Sequence, residues 1–365
     1  MATTGKHPRN AESRIAMHRT YWNREPQAHP LAAFRVVEDF FFARHYEGAR
    51  PLLVPGQITT ADMLAVDDFV ADYERMFAVT EELGQDAFWT AEPYTAIPWM
   101  EAILGCQIKA GEASFTSEHW MTSLEQIDEI RFDPANPWLL KYLEFTEKLV
   151  QISRGRFPVG MPIMRGPSDM VGALMGQTEM VFALADNPEE MKRFFLKVTD
   201  VFLRVIAEQK KIAGQFLGGE SMGFYHVYCP GSCMWFQEDL SALLSPAAYR
   251  DFLSEPARRI CRDYQHTAIH LHPTSFFILD ELLAIDELRA VEVNKDVGGP
   301  SVAEMIPTLN RIAQSKNLIL WGDFTPEDLD AIRTGLPSRG LFLHVIASSM
   351  ETARELLQQI RTWNG

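Results

Sequence analysis

Apolar residues follow two alternating rhythms along this chain. In the second half, short runs rich in branched and aromatic residues predict strands at GFYHVYCP (223–230), HTAIHLHP (266–273), LRAVEVNKD (288–296), NLILWGDF (317–324) and GLFLHVIAS (340–348). Runs of helical period lie between and after them, in SPAAYRDFLSEPARRICRDYQ, SFFILDELLAI, SVAEMIPTLNRIAQS, TPEDLDAIRTGL and METARELLQQIRTW. Ser245-Pro246 and Thr325-Pro326-Glu327 place a capping hydroxyl and a preset first turn where two of these helices should begin. The first half offers three more strand candidates, RPLLVPG (50–56), AFWTAEPY (87–94) and FPVGMPIMRG (157–166).

Strand alternating with helix is the sequence form of repeated βα units around a parallel sheet. Eight units in about 320 residues match a single (β/α)8 TIM barrel with insertions, so the reading is one α/β barrel domain over residues 49–365. Residues 1–48 are expected to be a helical lead-in packed on the barrel, because Leu31, Phe34, Val37, Phe40 and Phe41 fall on one helical stripe. An open doubly wound sheet is the competing architecture. The turn after its first strand should carry GxGxxG, and VPGQIT does not.

Composition narrows the partners. A net charge of −15 repels phosphate backbones and anionic membrane surfaces, so neither nucleic acid nor a membrane is expected as partner. No apolar run approaches the roughly 18 to 20 residues that span a bilayer, and the N-terminal stretch lacks a secretory apolar core, which gives a cytoplasmic expectation. Four cysteines are too few for a disulfide scaffold and are expected as thiols. Oligomeric state is open, with a homodimer as one expectation.

In a barrel of this kind, polar residues that close a strand converge on one mouth. That rule selects Glu92, Arg165, His226, His270, His272, Asn294, Asp296, Asp323 and His344. His270 and His272 are two apart on a strand and face the same side, so they can grip one ion or one substrate group together. His344 on the last strand is the third candidate ligand. Three imidazoles with an open fourth position make a zinc-type site that polarises an oxygen or activates a nucleophile. The plainer alternative is that the histidines only hydrogen-bond within the mouth.

Cys229 or Cys233, in H-x2-C-x3-C spacing after His226, is a further candidate ligand, against the alternative of two ordinary thiols flanking a Pro-Gly turn. Trp235, Gln237 and Asp239 share one face of an expected extended loop. Trp235 and Gln237 are candidate substrate contacts, and Asp239 is a candidate catalytic acid or else a helix N-cap. The aromatic stretch that includes Trp89 is expected to wall an apolar pocket around Glu92, which would suit a raised pKa and acid/base work, against the plainer alternative of a surface glutamate before a proline. Glu92, His226 and Asp239 are thus the expected catalytic groups. Trp89, Arg165, Trp235, Gln237, Asn294 and Asp323 are the expected substrate contacts.

Four segments in order, PWMEAILGC, QEDLSALLSPAAYRDFLSEP, IHLHPTSFFILDELLAIDELRAVEVN and SSMETARELL, resemble the uroporphyrinogen decarboxylase superfamily across roughly residues 85–360. The strongest element is D-x3-L-L-S-P-x2-[YF], matched by Asp239, Ser245, Pro246 and Tyr249. The resemblance implies a TIM barrel and either decarboxylation or zinc-dependent methyl transfer with a corrinoid protein. The arginine-rich M-R-Q-A-G-R-Y segment and the F-S-D-I aspartate of true uroporphyrinogen decarboxylases are absent. The methyltransferase branch carries H-x-C on one strand and a second cysteine near the last. Here His270-x-His272 and His344 stand at the matching places, so sulfur ligands are replaced by nitrogen.

The expectation is therefore a methyltransferase acting on a small methylated substrate with zinc, and with corrinoid supplied by a cobalamin-binding partner. The alternatives are a cofactor-independent decarboxylase of a small carboxylic acid and a non-catalytic binding subunit.

Overall fold

Strands buried on both faces need no polar alternation, and the uninterrupted apolar runs of the C-terminal half become the centre of the sheet. A computed structural model describes residues 10–37 and 42–363. Its strands are β1 (Leu31–Val36), β2 (Ile58–Thr59), β3 (Gln107–Ala110), β4 (Phe115–Glu118), β5 (Glu220–Met222), β6 (Val227–Cys229), β7 (Cys233–Gln237), β8 (His266–Leu271), β9 (Ala290–Asn294), β10 (Asn317–Gly322) and β11 (Leu341–Ala347).

Six of them form one parallel sheet in the order β1-β11-β10-β9-β8-β7. Two further extended stretches continue it beyond β7 through single parallel bridges, Arg165 to Gln237 and Ala91 to Val159. From the other edge, the Asp86 N–H donates to the Ala32 carbonyl of β1 at 3.1 Å. The architecture is an α/β fold of TIM-barrel type. β2, β3 and β4 make a separate antiparallel sheet.

Helices cover the parallel sheet as the pattern requires. Met350–Arg361 buries Ala353, Leu356, Leu357 and Ile360, one stripe of helical period, against β1 and β11. The Ser245 hydroxyl accepts the Ala248 N–H at 3.1 Å, and Thr325 and Ser301 close capping boxes with Asp328 and Glu304.

Three expectations need correction. Residues 31–36 are a strand, not part of a helical lead-in, and pair in parallel with β11 from Leu31↔Phe342 to Val36↔Ala347, so the sheet starts well before residue 49. An apolar i, i+3 pattern also fits a strand buried on both sides, and Leu31 to Phe34 are all buried. Phe40 and Phe41 of the expected stripe lie outside the described residues. RPLLVPG is not a strand, because Glu47–Leu52 forms a 3-10 helix.

GFYHVYCP supplies no strand of the parallel sheet either. The strand in that place is β7, and residues 220–229 are an antiparallel hairpin of β5 and β6. Its tip, residues 223–226, is buried in the core with Phe224, Tyr225 and His226 all at 2% exposure or less. Glycine permits this insertion. A Cβ on Gly160 would sit 2.5 Å from the Ser221 carbonyl oxygen, and one on Gly223 would sit 2.2 Å from the Met161 carbonyl oxygen.

Candidate metal centre

β8 ends at Leu271, so His270 is the last inward-facing position of the strand and His272 the first residue beyond it. The two rings lie 4.5 Å apart, nearly perpendicular at 86°. Each is held at Nδ1 by a carboxylate. His270 Nδ1 contacts Glu292 Oε2 in a short hydrogen bond across the β8–β9 pairing, in which the two residues are register partners. His272 Nδ1 contacts Asp296 Oδ1 at 2.7 Å, and the Asn294 amide donates to the same oxygen at 2.7 Å. A histidine that gives its Nδ1–H to a carboxylate presents a bare Nε2, the arrangement found around protein-bound metals.

Both Nε2 atoms face Asp239, which follows β7, and its Oδ1 lies 3.8 Å from each. Asp239 Oδ2 accepts the Gln237 amide at 2.7 Å, while Oδ1 is buried without a hydrogen-bond partner. The backbone behind Asp239 is pinned by Asp169, which accepts the N–H groups of Asp239 at 3.2 Å and Leu240 at 2.8 Å. Among the described residues, Asp239, His270 and His272 are the one group of three such side chains whose ligand atoms all fall within 4.8 Å of one another.

The electrostatics point the same way. Burial opposes charge on His270, but Glu292, Asp239 and Asp296 outweigh it and lift its pKa to about 9. Burial and the nearby Asp239 raise Asp169 to about 8, and burial together with Asp169 pushes Glu238 well up. The acids are crowded enough to resist ionising, and a cation among them would relieve that crowding. Without an ion, His270 would hold a second proton on Nε2; an orphaned carboxylate oxygen and two ring nitrogens turned toward it fit a divalent ion that takes that proton's place.

The triad opens into a cavity of about 320 Å³ that also takes in Arg165, Gln237 and Asn294, with Phe224, Tyr225 and Trp321 as aromatic walls. Arg165 is tied into an ion pair with the fully buried Glu101 at 3.0 Å. Of the residues expected from sequence, the structure therefore brings together His270, His272, Asp239, Arg165, Gln237 and Asn294.

The others lie elsewhere. His344 sits in the middle of β11, fully buried with no partner on either nitrogen, 5.1 Å ring to ring from His226 and outside the ligand group. Burial lowers its pKa well below the usual imidazole range. Cys233 opens β7 in register with His266, four residues before the Gln237↔His270 pair, which puts it about 13 Å down the strand from the mouth. Cys229 neighbours it on β6, so neither thiol reaches the triad. Trp235 packs on Tyr225 at 4.9 Å and is 1% exposed, inside the core. The Asp323 side chain is 66% exposed and paired with Lys295 at 3.3 Å.

Glu92, His226 and Trp89 face a second cavity, of about 390 Å³, at the ends of β1 and the 86–92 stretch. Glu92 is 2% exposed with neither carboxyl oxygen hydrogen-bonded, and the Arg35 guanidinium stands 3.7 Å away. Burial pushes the Glu92 pKa to about 8 although Arg35 pulls it down. His226, held at φ +57°, accepts the Thr90 N–H on Nδ1 at 3.0 Å, and burial keeps it neutral. The hairpin tip separates this cavity from the first, since Phe224 and Tyr225 line one and His226 the other.

Sequence reasoning missed Glu292 and Tyr225. A lone acid inside the apolar run AVEVN, two residues before Asn294 and so on the same face, was the available signal for Glu292. Tyr225 had none, because its position depends on the hairpin entering the core.

No family model matches the chain, and no curated protein matches it by sequence. Among solved structures, a methyltransferase from Methanosarcina mazei superposes with a TM-score of 0.64 over 97% of this chain and 99% of that one, at 14% sequence identity. At that identity the likeness establishes a shared fold.

Proposed function

We propose that this chain is a metal-dependent methyltransferase of a corrinoid-linked system, in the uroporphyrinogen decarboxylase superfamily, acting on a small methylated substrate. The observation that carries the reading is the convergence of His270 Nε2, His272 Nε2 and Asp239 Oδ1 at the floor of a cavity large enough for a small molecule. The full-length likeness to a methyltransferase supports the fold part of the reading. We read the sheet as a closed eight-stranded barrel, with the bridges at Arg165 and Ala91 and the Asp86–Ala32 hydrogen bond completing the ring.

Zinc suits two imidazoles and one carboxylate with a fourth position left open, and when bound it would polarise a heteroatom of the substrate. The chain's own residues do the rest. Gln237 fixes Asp239 so that Oδ1 points at the two rings, and Asp296, itself held by Asn294, fixes His272. Phe224, Tyr225 and Trp321 form a water-poor wall beside the reacting group, and the open side of the cavity is left for a corrinoid carried by a partner protein. A nitrogen and oxygen donor set is harder than the thiolate set of the related branch and favours an oxygen-bearing substrate. The decarboxylase alternative needs a cation free to hold a carboxylate, and Arg165, which among the described residues is the one guanidinium lining this cavity, is paired with Glu101.

The test is zinc content by elemental analysis, together with methyl transfer from methoxylated and other methylated compounds to free cob(I)alamin, followed by its visible absorption. One zinc per chain, and transfer lost on chelation and in His272→Ala, is expected. Release of CO2 from a carboxylic acid by metal-free protein, with no methyl transfer, overturns the proposal in favour of the decarboxylase.

A further inference from the structure

Residues 220–229 belong to no strand of the parallel sheet, yet their tip reaches the candidate metal centre. The Tyr225 hydroxyl donates to Glu292 Oε2 at 2.9 Å and lies 3.0 Å from His270 Nδ1, closing a three-membered network with the His270–Glu292 hydrogen bond. Glu292 is fully buried and its Oε1 has no partner, so the Tyr225 O–H and the His270 ring N–H are the donors that settle this carboxylate. A buried carboxylate short of donors is costly, and one that loses the Tyr225 hydroxyl is held by fewer donors and free to turn. The His270 ring hydrogen-bonded to it would turn with it, which changes where Nε2 points.

We propose that Tyr225 is a positioning residue of the metal site: through Glu292 it locks the His270 ring so that Nε2 faces Asp239 and His272. This deepens the metal-site reading above and rests on it. The hairpin is what makes the arrangement available. Tyr225 stands 4.9 Å ring to ring from Trp235 of β7, and Phe224 beside it stands 5.1 Å from Trp321 of β10, so the hydroxyl is fixed from both sides. Met161 and Glu92 leave room at Gly223 for no larger residue, which sets how far the tip can advance.

The experiment is zinc affinity, by competition with a chromophoric chelator, and the visible spectrum of the Co2+-loaded protein, for wild type, Tyr225→Phe and Tyr228→Phe. Tyr228 lies on the same hairpin, with its hydroxyl donated to the Leu217 carbonyl at 3.0 Å and away from the site, and serves as the control. Loss of outer partners of a metal-bound histidine weakens binding by about 10- to 100-fold, and that range with an altered Co2+ spectrum is expected for Tyr225→Phe alone. Affinity within about twofold of wild type and an unchanged spectrum overturn the inference while leaving the metal site standing. Wild type that takes up no zinc overturns the metal-site reading, and this inference with it. Should Tyr225→Phe not fold, Glu292→Gln reads the same linkage from its other end, with the same loss expected and an unchanged affinity overturning it.

Discussion

Replacing Glu92 by glutamine should make the protein more stable than wild type at high pH and nearly equal to it at low pH. In the folded chain Glu92 is buried beside Trp89 and His226, and burial raises its pKa from an ordinary 4.5 to about 8 against the opposing pull of Arg35. His226 is kept neutral by burial, and the tyrosines around the carboxyl, Tyr46, Tyr73 and Tyr142, have raised pKa values and stay uncharged, so among the described residues Arg35 is the charge it faces. Between pH 4.5 and 8 the folded state binds the proton that the unfolded state has released, and stability must fall as pH rises through this window. The gap, at about 1.4 kcal/mol per pH unit, sets a ceiling of about 5 kcal/mol above pH 8 and about 3 kcal/mol at pH 7. Movement of Arg35 and entry of water will reduce both figures. Glutamine keeps the shape and removes the titration. Urea unfolding of Glu92→Gln and wild type at pH 5, 7 and 9 should give a stability difference that grows with pH in favour of the variant. A difference that stays flat across the series would refute the assignment of a buried, poorly solvated carboxyl.

Asp239→Asn should keep the fold and reduce zinc content to under a tenth of wild type, since it neutralises the oxygen both His270 and His272 face; elemental analysis after dialysis reads the result. His344→Leu should leave zinc stoichiometry unchanged, because His344 lies outside the ligand group, and zinc loss in this variant would restore it as a ligand. Zinc at 100 times its Kd should stabilise wild type by about 2.7 kcal/mol and leave His272→Ala unaffected in thermal melting. Gly223→Ala should cost about 2 kcal/mol or more, because its Cβ would meet the Met161 carbonyl oxygen at 2.2 Å and Glu92 Oε2 at 2.9 Å; an unchanged midpoint in urea would show that the tip can retreat.

The sequence by itself determined β8 to β11 and the helices packed over them. Their apolar runs are continuous because both faces are buried, and hydroxyl caps such as Ser301 and Thr325 mark where helices begin. It also pointed to His270 and His272 on one side, since a spacing of two in extended backbone places both there, and His272 keeps extended backbone one residue past the end of β8. Only the tertiary structure decided that LAAFRV is the first strand of the sheet, because a short apolar run fits either element until a neighbour offers hydrogen bonds, and here β11 does.

Register likewise decided the third member of the candidate metal group. His344 and Asp239 are both near a strand in the chain, but β11 carries His344 down into the core, while β7 stops at Gln237 and releases Asp239 over the β8 histidines. The same holds for Tyr225. Its local sequence is as strand-like as any, and its place beside His270 comes from a hairpin admitted to the core by two glycines far apart along the chain. Local pattern is set by neighbours in sequence, whereas a site is set by depth and direction, which no single strand contains.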